Sequence, residues 1–480
     1  MTTTTKKTIE INPVSRVEGH GKVTIHLDDN GNVADTQLNI TQFRGFEKFC
    51  EGRMFWEMPE ITPRICGICP VSHQLASAKA CDVILDVELT PTAKLLRELM
   101  HMGQVFQSHA LHFFHLASPD LIFGPDADPA TRNVIGLIGA NPDLAVKAVK
   151  MRSYGQTIIQ KLGGKKVHPN GAIAGGMTTA LSVADRDELL KSIDELIANV
   201  NMGLYIIKNY HYEHKDIVEN FAVFPSLHLS LVDANDNLQL YDGRFRMIDA
   251  NGKVLEDQYD PSKYLDLIEE HVEEWSYLKF PVYKKQGYPK GMYRTGPLGR
   301  LNACKGISTP LANEELRQFR KLGKNGIVEG TMYFHYARLI ELMYSLERIR
   351  EILNEKDICS TDILRVSNTY KEEGIGVIEA PRGALFHHYK VDSSGKVKKV
   401  NLIVATGNNN LAMNKSVNMV AKQYIKNNQI TEGILNRVEM AIRCYDPCFS
   451  CSTHAIVGEM PLVLQVVSSD GKVVQELRRS

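Results

Sequence analysis

The chain has 480 residues, of which 43% are hydrophobic, and its 56 basic residues balance 56 acidic ones. That length buries a large core with room for two or three structural regions. Zero formal charge gives no electrostatic ground for nucleic acid or a membrane surface as partner, and no apolar run reaches membrane-spanning length.

Residues 8–45 predict β structure, with a turn at 28–32. Helical periodicity dominates 70–220, in segments 71–85, 92–117, 142–162 and 186–218. A β insertion is expected at 226–256, helices at 262–275 and 312–356, and a second β region at 375–406. Helices near 412–427 and 431–443 precede a terminal hairpin over 462–474. The expected fold is α+β: one large, mainly helical body with an N-terminal β region and small β insertions. Met1 to Lys7 lack an apolar leader. The nine cysteines are an odd count with no secreted disulfide spacing, which points to the reducing cytoplasm.

Two short cysteine pairs stand near opposite ends of the chain: Cys66-Gly67-Ile68-Cys69 and Cys448-Phe449-Ser450-Cys451. Histidines follow at His73 and His454. Two intervening residues let both sulfurs of a pair enter one site, and four thiolates make a soft, electron-rich metal pocket. Pro70 suits the first turn of a helix, which puts His73 on the face shared with the site. Structural zinc is the plain alternative. Against it, zinc ribbons bring their pairs close in sequence, and ionisable residues crowd this neighbourhood. A thioredoxin-like dithiol does not fit two such pairs in a helical protein.

Around these pairs the sequence resembles the nickel–iron hydrogenase large subunit, over essentially its whole length. The resemblance is carried by Arg64-Ile65-Cys66-Gly67-Ile68-Cys69 with His73 and by Asp446-Pro447-Cys448-Phe449-Ser450-Cys451-Ser452-Thr453-His454. Arg16-Val17-Glu18-Gly19-His20, Phe43-Arg44-Gly45-Phe46-Glu47, His168-Pro169-Asn170 and Glu379-Ala380-Pro381-Arg382-Gly383 add to it in family order.

The resemblance implies a helical-bundle core and reversible conversion of H2 to two protons and two electrons. Cys66 and Cys448 would be terminal nickel ligands. Cys69 and Cys451 would bridge nickel to an iron carrying carbon monoxide and cyanide. Glu18 would relay protons, although most glutamates are merely solvated. Arg382 would stand over the open metal position; its high pKa favours electrostatic stabilisation over a role as base. Asp446 would orient it, the alternative being a turn-forming Asp-Pro. Glu47 and His454 would bind magnesium or a similar divalent ion, and His73 would hydrogen-bond near a bridging sulfur. One departure is Ser108, where many members carry an aspartate, so no carboxylate there can pair with Arg382. Leu111 to His115 reads as core packing.

The catalytic body is expected over 1–454. By resemblance, 455–480 is removed after nickel insertion, through a maturation protease and nickel-insertion factors. Cys50, Cys81, Cys304, Cys359 and Cys444 form no iron–sulfur pattern, and no GxGxxG follows a strand. Electrons must therefore pass to partners. The resemblance implies an iron–sulfur small subunit; in the cytoplasmic NAD-linked branch that Pro70–Lys79 most resembles, it also implies a flavin and iron–sulfur diaphorase. Deazaflavin- or heterodisulfide-linked hydrogenases share much of this signature. A zinc scaffold and the hydrogenase-like component of respiratory complex I are the readings outside the family; chains of the latter type lack the full cysteine set.

Overall fold

The computed structural model describes residues 8–42, 45–453, 462–467 and 473–479. Strands β1 (Thr8–Ile11), β2 (Gly21–Leu27) and β3 (Val33–Ile40) form an antiparallel sheet, with Ile11 opposite Val23 and Val23 opposite Leu38. Val23, Ile25, Leu38 and Ile40 are buried, the one-sided face that strand alternation produces.

The helical body follows. Helices α1 (Pro70–Leu85), α2 (Pro91–Leu111) and α3 (Pro142–Gly163) match the predicted segments to within a few residues, α2 excepted at its end, whereas the segment predicted over 186–218 is broken into Val183–Lys191, α4 (Ile193–Glu213) and Lys215–Asn220. Proline opens the first three, and the Thr90 hydroxyl accepts from Ala93 N to cap α2. Helix α1 is buried on nearly every side, which makes it the axis of the core rather than an amphipathic surface helix.

The insertion at β4 (Leu227–Val232), β5 (Arg244–Ile248) and β6 (Val254–Tyr259) is antiparallel, with Tyr293–Arg294 added parallel to β4. Helices α5 (Gly296–Ala303) and α6 (Tyr333–Leu353) lead to a second sheet of β7 (Glu373–Ala380), β8 (Gly383–Val391) and β9 (Val397–Ile403). Helices α7 (Asn410–Tyr424) and α8 (Glu432–Cys444) pack together, and α7 also covers β3. The strands Leu462–Val467 and Val473–Arg479 pair as the predicted hairpin.

Two expectations fail. Residues 262–275 are helical only over the single turn Tyr264–Leu267; Ile268–Val272 then pairs antiparallel with Lys279–Tyr283. The strand opposite decides the conformation there, and local periodicity does not see it. The predicted helix 92–117 is α-helical only to Leu111. It then widens into a π turn over His112–Ala117, and His112 Nε2 lies 2.7 Å from Arg443 O.

Helix α1 lies directly on β7. A Cβ on Gly376 would fall 2.0 Å from Ala76 O, so this contact requires glycine. Gly376→Ala is expected to cost about 1–3 kcal/mol in chemical denaturation, because backbone rather than a flexible side chain must give way. Wild-type stability in that variant would contradict the close approach.

Candidate metal centre

Cys66 and Cys69 lie between a 3-10 turn at Thr62–Ile65 and the start of α1. Gln104 and Gln107 of α2 fasten this loop by donating to Ile68 O at 2.8 and 3.1 Å. Cys448 and Cys451 follow α8, on the loop and first turn of the short helix Phe449–Ser452. The N-terminal region holds this second pair in place. Glu18 forms a parallel bridge with Cys448, and Phe449 N donates to Glu18 O at 3.0 Å. Gly19, at φ +83°, lets the strands meet: a Cβ there would lie 2.8 Å from both Phe449 Cβ and Ser450 N.

The four sulfurs converge. All lie within 4.8 Å of one another, all are buried, and they are the one group with metal-ligand geometry among the described residues. Cys448 Sγ is 2.7 Å from Cys451 Sγ and 3.2 Å from Cys66 Sγ; Cys69 and Cys451 are 3.7 Å apart. Four thiolates this close and this dry repel one another unless a cation joins them. Burial pushes the Cys448 and Cys451 thiols up, while the hydrogen bond with Cys448 leads those that pull Cys66 down.

Beside the sulfurs is a small cavity of about 10 Å³, walled by Pro381, Val404 and Ala405 and reached by Arg382. Arg382 occupies the two-residue tip of the β7–β8 hairpin, since Ala380 pairs with Gly383. Its Nε donates to Asp446 O and its Nη2 to Asp446 Oδ1 at 3.0 Å. Burial opposes the charge, yet Asp446 and the nearby sulfurs hold the guanidinium well above its ordinary range. Burial raises Asp446, against the pull of Arg382 and Arg338. Arg382 Nη1 is buried with no hydrogen-bond partner among the described residues. A soft four-sulfur donor set beside a dry slot with an unused cationic donor fits a nickel–iron centre whose iron carries small anionic ligands.

The other predicted residues divide. The half-buried Glu18 turns its carboxylate back to the cysteine loop, Oε2 accepting from Ser450 N at 3.2 Å. His73 Nε2 stands 3.5 Å from Cys451 Sγ. Glu47 is buried and accepts from Leu402 N at 2.7 Å; burial pushes it up to about 7, a carboxylate that a divalent ion would relieve. His454, its expected fellow ligand, lies outside the described residues. Ser108 is buried with its hydroxyl unpartnered among the described residues, and Asp446 supplies the carboxylate for Arg382. His112 stacks on His335 at 5.6 Å between ring centres, as core packing.

Sequence reading missed a buried charge network behind Arg382. Arg300 of α5 donates to Glu341 Oε1 and Oε2 at 2.6 and 2.5 Å, to Glu379 Oε2 at 2.9 Å, and to Ala380 O and Pro381 O at 2.8 and 3.2 Å. His109 completes it, 2.9 Å from Glu341. Glu379 was visible in the Glu-Ala-Pro-Arg-Gly motif, which was the available signal; Arg300 carried none.

Comparison with known proteins agrees with this geometry. A profile described as HoxL-like matches residues 8–43, and one described as nickel-dependent hydrogenase matches 44–131 and 239–454. The chain is 44% identical to the NAD-reducing hydrogenase HoxS subunit beta of Cupriavidus necator, over 98% of this chain and 99% of that one. It is 45% identical to a chain of the vhc F420-non-reducing hydrogenase of Methanococcus voltae, over the same shares. A crystal structure of an NAD+-reducing [NiFe]-hydrogenase in the H2-reduced state superposes with a TM-score of 0.91 at 44% identity, over 93% of this chain and 99% of that one. The chain belongs to the nickel-dependent hydrogenase family.

Proposed function

We propose that this chain is the hydrogen-splitting subunit of a cytoplasmic, NAD-linked nickel–iron hydrogenase, in which Cys66 and Cys448 would hold nickel and Cys69 and Cys451 would be shared between nickel and iron. The observation that carries it is the convergence of the four buried sulfurs beside Arg382. When bound, the nickel–iron centre supplies the open coordination position and the electron acceptance that splitting H2 requires.

The chain's own residues do the rest. Arg382 holds positive charge over the slot, oriented by Asp446, where anionic iron ligands would otherwise be buried unpaired. The apolar wall of Pro381, Val404 and Ala405 excludes water. Glu18 takes the proton near Cys448 and hands it outward; its backbone pairing with that cysteine fixes the distance. Glu47 and His454 would hold magnesium or a similar divalent ion. Glu18→Gln is expected to slow hydrogen–deuterium exchange by about 100-fold or more while nickel and iron contents stay at wild-type levels. Exchange at the wild-type rate would refute the relay.

Similarity to a subunit of an NAD-reducing hydrogenase supports electron transfer to an iron–sulfur small subunit. Similarity along the whole chain to HoxS subunit beta supports a flavin and iron–sulfur diaphorase beyond it. None of the nine cysteines is joined in a disulfide, which agrees with a cytoplasmic setting, and no described helix is long and apolar enough to cross a membrane. Residues 1–454 form the catalytic body, and a maturation protease removes 455–480 after nickel-insertion factors have loaded the site. The purified complex is expected to reduce NAD+ with H2. The equal identity to F420-non-reducing hydrogenases supports a second reading, in which the electrons go to another acceptor. H2-driven dye reduction without NAD+ reduction by the intact complex would select it.

A further inference from the structure

Arg382 stands at the tip of the β7–β8 hairpin, and that tip is buried. Buried main-chain groups need partners, and here side chains from elsewhere in the fold supply them. Arg300 takes the carbonyls of Ala380 and Pro381. Asn409 Nδ2 donates to Arg382 O at 3.1 Å, and Asn408 Nδ2 donates to Ala384 O at 2.8 Å. Ala384 N donates to Thr295 Oγ1 at 3.3 Å. All of these side chains are fully or almost fully buried.

Two of them give up another role. Thr295 and Asn409 occupy the N-cap positions of α5 and α7, where such side chains ordinarily accept from the first turn of the helix. Neither caps its helix. Instead Asn409 spans two segments: its Oδ1 accepts from Thr295 N at 3.0 Å while its Nδ2 reaches Arg382 O. A backbone N–H on one side and a carbonyl on the other allow the amide only one orientation. The approach is close, since a Cβ on Gly296 would fall 2.8 Å from Arg382 O.

The piece of chain that carries Asn408 and Asn409 also meets the metal centre. Val404 and Ala405 wall the slot, and Thr406 Oγ1 accepts from Cys448 N at 2.9 Å. Asn409 N donates to Thr406 O at 3.0 Å, closing a single turn between them. One tight turn thus touches the arginine's backbone at one end and the cysteine's at the other. Asp446 holds the guanidinium, so Arg382 is fixed both at its backbone and at its head.

We propose that Asn409 and Thr295 are positioning residues for Arg382, setting where its guanidinium stands over the slot relative to Cys448. This rests on the reading of the site as a nickel–iron centre. Arg382 Nη1 has no hydrogen-bond partner among the described residues, and an anionic iron ligand in the slot would accept from it. A tip that loses Asn409 carries the guanidinium to a different position, and the cyanide stretches register the change.

The test is infrared spectroscopy of the anaerobically purified complex carrying Asn409→Leu, Thr295→Val or Thr295→Ser, with Arg382→Lys as reference and metal analysis of each. Nickel and iron contents are expected to stay at the unsubstituted level. Arg382→Lys moves the cyanide stretches. Asn409→Leu, which keeps the shape of asparagine without its amide, moves them in the same direction by less. Thr295→Val, which loses only the hydroxyl, moves them less again, and Thr295→Ser, which keeps it, leaves them in place. Where Asn409→Leu does not accumulate in metal-replete form, the two Thr295 variants carry the test. Stretches unmoved in metal-replete Thr295→Val, and in Asn409→Leu where it accumulates, overturn the inference. So do stretches unmoved in Arg382→Lys, or an equal shift in Thr295→Val and Thr295→Ser. Absence of the bands from the unsubstituted complex overturns the reading of the centre, and the inference with it.

Discussion

Cys448→Ser is expected to abolish hydrogen turnover and to deplete nickel from the purified chain. Cys448 sits at the middle of the sulfur set, within 3.2 Å of both Cys66 and Cys451, and its backbone is fixed on two sides by Glu18 and by Thr406 Oγ1. A serine hydroxyl would occupy the same place without the soft, readily deprotonated donor that nickel needs. Losing an outer-sphere partner of a metal typically costs about 10–100-fold, so losing a direct ligand should exceed about 100-fold. Because the loop is held by backbone contacts, the variant should still fold. Activity measured with nickel and iron analysis on the same sample decides the matter. Retained turnover with intact nickel would contradict the ligand assignment.

Arg300→Met should be the most destabilising substitution outside the sulfur set. Arg300, Glu341 and Glu379 are all fully buried, and one guanidinium serves two carboxylates. Those carboxylates are not equivalent. Despite burial, the bidentate contact with Arg300 holds Glu341 down at about 2, whereas burial pushes Glu379, with its single bond to Arg300, up to about 7. Removing the arginine strands the Glu341 charge in a dry core and frees the carbonyls of Ala380 and Pro381 that carry Arg382. The expected cost is about 3–5 kcal/mol in equilibrium denaturation. Arg300→Lys should recover little, because one ammonium cannot span both carboxylates and both carbonyls. Glu379→Gln imitates the protonated carboxyl and should cost far less than Glu341→Gln. Equal losses in those two variants would contradict the asymmetry.

Legibility in the sequence followed range and burial. The cysteine pairs were readable because Cys-x-x-Cys is local, and His73 followed from its place on the same helix. The long helices were readable because a 3.6-residue period with proline at the start and polar caps is also local. The bridge from Glu18 to Cys448 was not readable on physical grounds: it joins residues at opposite ends of the chain, and only the family motif gave Glu18 a role. Arg300 and Glu341 were invisible because a charged residue is presumed solvated until its burial is seen. The strand at Ile268–Val272 was misread as helix because its partner, Lys279–Tyr283, decides its state. Ser108 raised a fair question, and Asp446 answered it from a distant loop.

The central claim is that these four cysteines hold a nickel–iron centre rather than structural zinc. Its most direct test is an infrared spectrum of the anaerobically purified complex whose catalytic chain ends at His454, with metal analysis of the same sample. Carbon monoxide and cyanide stretches, with nickel and iron in equal amounts, are the predicted result. Stoichiometric zinc without those bands would contradict it and leave the cysteines as a structural site.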